Sequence, residues 1–246
     1  MKIIISPAKK MNIDTDTFNY RNLPTFLNRT REIMGFMKSL SYADAKKLWG
    51  CNDSIAELNF NRFKEMDLEK CLTPAIMSYE GIQYQYMAPL VLSDHALEYL
   101  ERHLRILSGF YGVLKPFDGV TPYRLEMQAK AKINTCKDLY QYWSDSLYHE
   151  ICDNDHLILN LASKEYSKCI EKYLSPEDRF ITCIFGEEVN GKIVQKGTLA
   201  KMARGEMVRF MAENQIEDLE EIKSFDRLNF TYRPELSTET EYVFIM

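Results

Sequence analysis

Residues 157–166 read LILNLASKEY, and this stretch contains the pattern that decides the fold. Its first half is almost uniformly apolar, which is typical of a strand buried in a sheet. Small and polar residues follow, and the chain then turns into a helix. The start of the chain has a similar form, because a short apolar strand at residues 2–6 is stopped by Pro7 and followed by two lysines. Such strand ends are where sheet proteins tend to build their sites.

Working outward, apolar residues recur at helical spacing in five further stretches, which predicts helices over residues 25–40, 53–66, 93–107, 138–151 and 198–214. Short apolar runs predict strands over residues 75–79, 81–86, 180–185, 192–195, 227–233 and 241–246. Asn190-Gly191 between two of these runs is a strong hairpin signal. Strands and helices are interspersed without a regular repeat, and no glycine-rich phosphate loop follows any strand. The sequence therefore predicts a single α+β domain over residues 1–246, with a mixed β-sheet and surrounding helices.

The composition is that of an ordinary globular protein, with 46% apolar and 27% charged residues among 246. This balance excludes a disordered chain. The longest apolar runs are far too short to cross a bilayer, and no signal peptide precedes the first strand. We therefore expect a cytoplasmic protein with no membrane partner. The six cysteines are widely spaced without a C-x-x-C pair, which favours reduced, mostly buried thiols over disulfides or a cysteine zinc site.

The net charge of −5 is unevenly distributed along the chain. In residues 212–246 acidic residues outnumber basic ones by nine to three, so this acidic C-terminal segment accounts for the whole negative excess. Binding to phosphate depends on a local face of the protein and not on the sum of its charges. The net charge therefore does not exclude a nucleic-acid partner.

A glycine pair at residues 109 and 112 follows the amphipathic helix predicted over residues 93–107. Two closely spaced glycines allow backbone N–H groups to approach a phosphate, which is how a helix-hairpin-helix element grips a nucleic-acid backbone. Arg105 and Lys115 would supply positive charge around it. The alternative is a plain cap and turn between two packed helices.

The helix predicted over residues 198–214 places its cations on one side. Lys201, Arg204 and Arg209 lie opposite the apolar stripe, in an arc that also contains Gly205. A glycine within a helix costs about 1 kcal/mol relative to alanine, which suggests a close approach to the backbone there. The alternative is a solvated basic face with an incidental glycine.

The two strand ends offer candidate catalytic groups. Lys9, Ser163 and Glu165 follow buried strands, and Glu126 could join them in one cleft together with Arg124. A lysine near other cations can act as a base or a nucleophile, and a buried glutamate can act as an acid or a base. The alternative is that these are ordinary exposed and capping residues.

A metal site is possible on spacing alone, since His149, Cys152 and His156 recur at helical intervals. However, Asp153-Asn154-Asp155 is typical of a helix stop, which would place His156 on a different side. We therefore predict no metal site and no cofactor.

Six blocks of the sequence, in order between residues 3 and 211, resemble the YaaA family of bacterial peroxide-stress proteins. The blocks are ISPAK (5–9), LSGFYGVLKP (107–116), PYRLEM (122–127), DLYQYW (138–143), NLASKEY (160–166) and ARGEMVRF (203–210). The resemblance implies a cytoplasmic protein that helps cells to survive hydrogen peroxide by limiting unincorporated iron. It also implies an α+β fold with a positively charged cleft, a helix-hairpin-helix element and DNA binding. No settled catalytic activity comes with the family.

Carried over by position, the resemblance places the hairpin at residues 107–115. The expected partner is duplex DNA, bound with little sequence specificity through Lys9, Lys10, Arg105, Gly109, Gly112, Lys115, Arg124, Lys164, Lys201, Arg204, Gly205 and Arg209. The alternative is an enzyme acting on a nucleotide, a nucleoside or a damaged base. In that case the catalytic candidates are Lys9, Glu126, Glu165 and Ser163. The oligomeric state stays open.

Overall fold

Eight strands form the central sheet of the computed structural model, which describes residues 1–152 and 154–246. All strands in the described ranges are β1 (Lys2–Ile5), β2 (Lys10–Met11), β3 (Thr73–Pro74), β4 (Tyr79–Glu80), β5 (Leu104–Ser108), β6 (Gly112–Leu114), β7 (Gly119–Val120), β8 (Leu157–Leu161), β9 (Arg179–Val189), β10 (Lys192–Val194), β11 (Thr231–Tyr232) and β12 (Glu241–Ile245). Four of these strands pair outside the central sheet, as β2 with β4 and β3 with β7. The helices are α1 (Leu27–Ser39), α2 (Tyr42–Trp49), α3 (Asp53–Glu65), α4 (Ala75–Ser78), α5 (Ile82–Met87), α6 (Asp94–His103), α7 (Leu139–Trp143), α8 (Ser146–Ile151), α9 (Lys164–Glu171), α10 (Gly197–Glu213) and α11 (Leu219–Ile222).

Five parallel strands, in the order β5-β1-β8-β9-β12, make up the centre of the sheet. The antiparallel strands β6, β10 and β11 pair at its margins. Ile3, Ile4 and Ile5 are fully buried, because β1 lies between two neighbours and is covered on both faces. The mixed sheet within an α+β fold is therefore confirmed.

Parallel pairing brings the ends of β1 and β8 together. Ile5 is in register with Leu161, and just beyond them the Oγ of Ser6 accepts a 2.8 Å hydrogen bond from the backbone N–H of Ser163. This carboxyl edge of the sheet faces away from the amino edge, where β8 and β9 begin at Leu157 and Arg179. The two predicted strand ends therefore meet.

The acidic C-terminal segment is part of the fold. It supplies β11 and β12, and its Phe225, Phe230 and Phe244 pack around the ring of Phe185 in β9. Its acidic stretch at residues 217–221 lies beside Leu157 and Arg179, at the amino edge of the sheet. None of the helices in the described ranges is both long and apolar enough to cross a membrane.

Helix α10 packs directly against α5 through Gly205. A Cβ atom at this position would lie 2.2 Å from the carbonyl oxygen of Gln83 and 3.0 Å from the amide nitrogen of Met87. The glycine within the predicted helix suggested that something comes close to its backbone. The structure shows that α5 does so, and the space at Gly205 is therefore not available to an external ligand.

Most of the long predicted elements are confirmed. Helices occur at residues 27–39, 53–65 and 197–213, and Asn190 and Gly191 form a hairpin turn with positive φ angles of 52° and 72°. The strands predicted over 75–79 and 81–86 are wrong, because most of those residues form α4 and α5. Short apolar runs do not distinguish a buried strand from a buried helical turn. The predicted helix stop at Asp153-Asn154-Asp155 includes Asp153, which lies outside the described residues.

The helix-hairpin-helix prediction is wrong at residues 107–115. Helix α6 ends at His103, and the apolar residues that follow form β5, which pairs with β1 and turns back into β6. Gly109 and Gly112 therefore lie at the turn of a β-hairpin. The run from Leu104 to Leu107 continues the apolar pattern of the helix, but all four residues are buried in the sheet.

Candidate functional site

A cavity of about 420 Å³ opens at the carboxyl ends of β1 and β8 and is closed on the other side by α5 and α10. We call it the inner cavity. Eight charged residues line it, of which five are cations: Lys9, Lys10, Arg124, Lys201, Arg204, Glu80, Glu126 and Glu165. All four candidate catalytic residues belong to its lining, since Ser163 also contributes to the wall. Cations from three distant stretches of the chain therefore converge on one concave surface.

Arg204 contributes a largely desolvated guanidinium to the lining of the inner cavity. Its Nε atom is buried and has no hydrogen-bond partner, and no described carboxylate forms an ion pair with its guanidinium. Burial lowers the pKa of Arg204 below the ordinary value of arginine. Because a guanidinium stays charged even so, the side chain presents a desolvated positive charge to the cavity.

Two further residues of the lining carry a buried donor without a partner in the described structure, namely Arg124 at Nε and Gln83 at Nε2. Leaving a buried donor unsatisfied costs about 1–3 kcal/mol, so such groups call for an explanation. Three of them in one cavity are explained if the cavity receives a ligand rich in acceptor oxygens. A phosphate or a carboxylate has that chemistry.

Glu126 links two of the cations at the mouth of the cavity. Its Oε1 lies 3.0 Å from Nη2 of Arg124 and 3.2 Å from Nζ of Lys9. The Glu126 side chain is 13% exposed, whereas that of Lys9 is 66% exposed. Lys9 thus has a carboxylate partner, but its side chain stays largely in water.

The remaining candidate catalytic residues are held by local hydrogen bonds. The Oγ atoms of Ser6 and Ser163 lie 3.2 Å apart, and Oε1 of Glu165 accepts a hydrogen bond from the backbone N–H of Gln128 at 3.2 Å. At the rim, Lys10 forms a 2.6 Å ion pair with Glu80. Hydroxyls and carboxylates therefore line the same cavity as the arginines.

A floor of buried tyrosines supports the cavity. Tyr84 donates a hydrogen bond to the carbonyl of Ser6 at 3.0 Å, and the hydroxyls of Tyr79 and Tyr123 lie 2.8 Å apart. Burial raises the pKa of Tyr123 to about 12, so its hydroxyl stays protonated at neutral pH. Sequence reasoning missed this floor and also Gln83. Tyr123 and Tyr166 lie within two of the sequence blocks that resemble the YaaA family, and this position could have indicated that they belong to the site.

A second cavity of about 690 Å³ adjoins the first and shares Lys9 and Glu126 with it. We call it the outer groove. Its wall carries Lys47, Lys130 and Lys132, and Trp49 contributes a buried Nε1 donor that has no partner in the described part of the chain. The two cavities together extend the cationic surface well beyond the size of a single anion.

Several predicted binding residues lie elsewhere. Arg105 is buried in β5, where its Nη1 donates to the carbonyl oxygens of Glu101 and Leu104 at 3.2 and 2.7 Å. Lys164 is paired with Glu171 at 2.6 Å, and Arg209 with Glu213 at 2.8 Å. The others outside the inner cavity are Gly109, Gly112, Lys115 and Gly205. The helix face at 201–209 is thus divided, with Lys201 and Arg204 toward the cavity and Arg209 beside an acid.

Comparison with known proteins finds relatives that match this chain over nearly its whole length. A family profile described as "Peroxide stress protein YaaA" matches residues 1–236. The chain is 59% identical over 244 residues to a UPF0246 protein of Agathobacter rectalis, covering 99% of this chain and 98% of that relative. It is 56% identical over 245 residues to a UPF0246 protein of Desulfitobacterium hafniense, and 54% identical over 245 residues to one of Pediococcus pentosaceus. Both matches cover 100% of this chain and 98% of the relative.

Proposed function

The chain belongs to the YaaA family of peroxide stress proteins, and on that premise we propose that it acts in the response to hydrogen peroxide by binding duplex DNA through the inner cavity and the outer groove. In this role it helps to limit iron-driven oxidative damage. Binding is directed at the sugar-phosphate backbone and reads little of the base sequence.

The observation that carries the proposal is the set of unpaired buried donors around Arg204. Arg124, Gln83 and Arg204 all line the inner cavity, and each carries a buried donor atom without a partner among the described residues. One backbone phosphate supplies the acceptor oxygens and the negative charge that these groups lack. The exposed Lys201 adds positive charge at the same opening.

The outer groove supports a polyanion over an isolated phosphate. A cavity of about 420 Å³ is too small for a duplex, so only a phosphate group with its sugar can enter while the helix rests on the rim. Neighbouring phosphates would then lie over Lys47, Lys130 and Lys132 in the outer groove. Each phosphate neutralised in this way makes the binding depend more steeply on salt.

The test is duplex binding measured by fluorescence anisotropy over a series of salt concentrations. We expect the slope of log affinity against log salt to lose about 0.9 for each phosphate contact removed. Arg204→Gln and the double variant Lys130→Ala with Lys132→Ala should therefore bind more weakly and give shallower slopes. Lys164→Ala and the double variant Lys164→Ala with Lys192→Ala are matched controls, because they remove equal charge from exposed positions outside both cavities.

Two results would refute DNA binding at this site. One is an affinity of the wild type that does not change with salt. The other is an equal loss of affinity in the cavity variants and the matched controls, since that would show an effect of total charge alone. Circular dichroism of each variant verifies that its fold is intact.

A second candidate function is supported by the hydroxyl and carboxylate groups that line the inner cavity beside the arginines. Ser163, Glu126 and Glu165 could hold or move a proton next to a bound phosphate ester, and the inner cavity has the volume of a nucleotide site. The cavity would then serve an enzyme acting on a nucleotide, a nucleoside or a damaged base. Incubation with these compounds, followed by mass spectrometry, should reveal a product that Glu126→Gln no longer forms. Binding of a mononucleotide without any product would argue against the enzyme and for simple phosphate recognition.

A further inference from the structure

A cysteine, a histidine and an aspartate meet at the amino edge of the sheet, away from both cavities. Sγ of Cys152, Nδ1 of His156 and Oδ1 of Asp178 all lie within 4.8 Å of one another. The separations are 3.7 Å between Sγ and Nδ1, 3.3 Å between Sγ and Oδ1, and 2.8 Å between Nδ1 and Oδ1. Thiolate, imidazole and carboxylate are the three side-chain ligands that Zn²⁺ takes in proteins.

The topology explains how residues so distant in sequence come together. Cys152 directly follows α8, His156 directly precedes β8, and Asp178 directly precedes β9. Because Leu157 and Arg179 are paired in parallel register, the residues before them stand side by side. The backbone carbonyl of His156 also accepts a 2.7 Å hydrogen bond from the N–H of Arg179.

Surrounding residues contact two of the candidate ligands, Asp178 and His156, from the side away from the cluster. Oδ2 of Asp178 accepts hydrogen bonds from the N–H of Ser175 at 2.6 Å and from the hydroxyl of Tyr148 at 2.8 Å, which leaves Oδ1 directed at the cysteine and the histidine. On the other side of the imidazole, Nε2 of His156 lies 3.9 Å from a carboxylate oxygen of Glu177. Metal sites are characteristically oriented by a second layer of this kind.

Charge and access also fit a divalent ion. A thiolate and a carboxylate together carry the two negative charges that such an ion neutralises. Without an ion, the Cys152 thiol donates a 3.3 Å hydrogen bond to Oδ1 of Asp178. The Asp178 side chain is fully buried, but that of His156 is 38% exposed and gives a path from solvent. His156 also has a left-handed backbone with φ of 48°, a conformation in which strain is often retained for function.

We propose that Cys152, His156 and Asp178 form a binding site for one divalent transition-metal ion such as Zn²⁺. The ligands are Sγ, Nδ1 and Oδ1. For tetrahedral bonds of about 2.0–2.3 Å, the ligand atoms should stand about 3.3–3.6 Å apart. The pair of Nδ1 and Oδ1 must therefore open by about half an ångström, and the pair of Sγ and Oδ1 by about 0.2 Å.

This site corrects the earlier spacing argument in one respect. Sequence spacing suggested His149 as the partner of Cys152 and His156, but the His149 side chain is 69% exposed and is not among the three clustered ligands. The third ligand comes from the next strand, which no local spacing could indicate. The proposal does not depend on DNA binding, because the site and the cavities share no residue.

The experiment is a titration of chelator-treated full-length protein with Co²⁺, followed by absorption spectroscopy. A cobalt ion in the proposed site gives a thiolate-to-metal charge-transfer band and the intense visible bands of tetrahedral cobalt, and both saturate at one ion per chain. Zn²⁺ should displace the cobalt and abolish the bands. Cys152→Ser should lose the charge-transfer band, and His156→Gln should weaken binding at least tenfold.

Cys136→Ser and His149→Gln are the matched controls, since each removes a ligand of the same type outside the cluster. Both should bind cobalt as the wild type does. The proposal is overturned if the wild type gives no thiolate band, if the band survives in Cys152→Ser, or if Cys136→Ser removes it as well. Thermal unfolding of each apo variant separates loss of a ligand from loss of the fold. Zn²⁺ should raise the melting temperature of the wild type and of both controls, but not that of Cys152→Ser.

Discussion

Gly205→Ala should destabilise the protein, although the same substitution in an exposed helix stabilises it. Alanine is favoured over glycine within a helix by about 1 kcal/mol. At residue 205, however, the new Cβ would lie 2.2 Å from the carbonyl oxygen of Gln83 and 3.0 Å from both the amide nitrogen of Met87 and Cβ of Tyr86. Two of these contacts are backbone atoms of α5, so no side-chain rotation can relieve them.

The size of the loss in the free energy of unfolding follows from how far α10 and α5 must separate. An ordinary contact needs about 1 Å more than the distance to the Gln83 carbonyl, so α10 and α5 must move apart by about that amount along their interface. Overpacking of a core typically costs about 1–3 kcal/mol, and a contact with backbone atoms belongs at the upper end. After subtracting the gain in helix propensity, we expect a net loss of about 2 kcal/mol in the free energy of unfolding.

Gly35→Ala is the matched control, because Gly35 lies within α1 and a Cβ there would meet no atom within 4 Å. This variant should gain about 0.5–1 kcal/mol. Equilibrium unfolding in urea, monitored by circular dichroism, measures both changes. Two variants that shift the midpoint in the same direction would refute the reasoning, because the opposite signs depend entirely on the contact with α5.

Two further predictions concern buried titratable groups. Burial raises the pKa of Asp118 to about 7, so the folded protein holds a proton that the unfolded chain releases near pH 4. The stability that this group contributes is therefore fully present below about pH 4 and is lost as the pH rises to about 7, by up to about 1.4 kcal/mol per pH unit. Urea unfolding across this range should show that the free energy of unfolding of Asp118→Asn depends less on pH than that of the wild type. Equal pH dependence in the two proteins would contradict the prediction. Burial also raises the pKa of the Cys169 and Cys183 thiols to about 12, whereas Cys71 is exposed. In native protein treated with iodoacetamide, peptide mass spectrometry should find Cys71 modified first and Cys169 and Cys183 only after denaturation, and equal labelling would show that these thiols are not shielded.

The long elements of the fold could be predicted from the sequence because their periodicity is unambiguous. The stretch from Leu157 to Tyr166 gave both β8 and the start of α9. Where the apolar run was short or continuous, local pattern failed. Leu104 to Leu107 extends the stripe of α6 by one more turn in sequence, but pairing with β1 draws these residues into the sheet. That outcome depends on a strand a hundred residues away.

The candidate site was predictable where its residues follow strands. Lys9, Ser163 and Glu165 stand at the carboxyl ends of β1 and β8, and parallel pairing brings them to one edge. Gln83 could not be found in this way, because it lies on α5, which the alternating pattern of residues 81–86 presented as a strand. Asp178 was missed for a related reason, since only the register between β8 and β9 places it beside His156.

The acidic stretch at residues 217–221 forms a local negative pole of four carboxylates at the amino edge of the sheet, beside Arg179. The inner cavity, with five cations and three carboxylates, forms a local positive pole at the carboxyl edge. At a physiological Debye length of about 8 Å, an approaching polyanion experiences mainly the nearer pole. The protein would therefore rotate its cationic end toward such a partner during encounter, and its opposite end would repel any second polyanion, which limits bridging between two strands of nucleic acid.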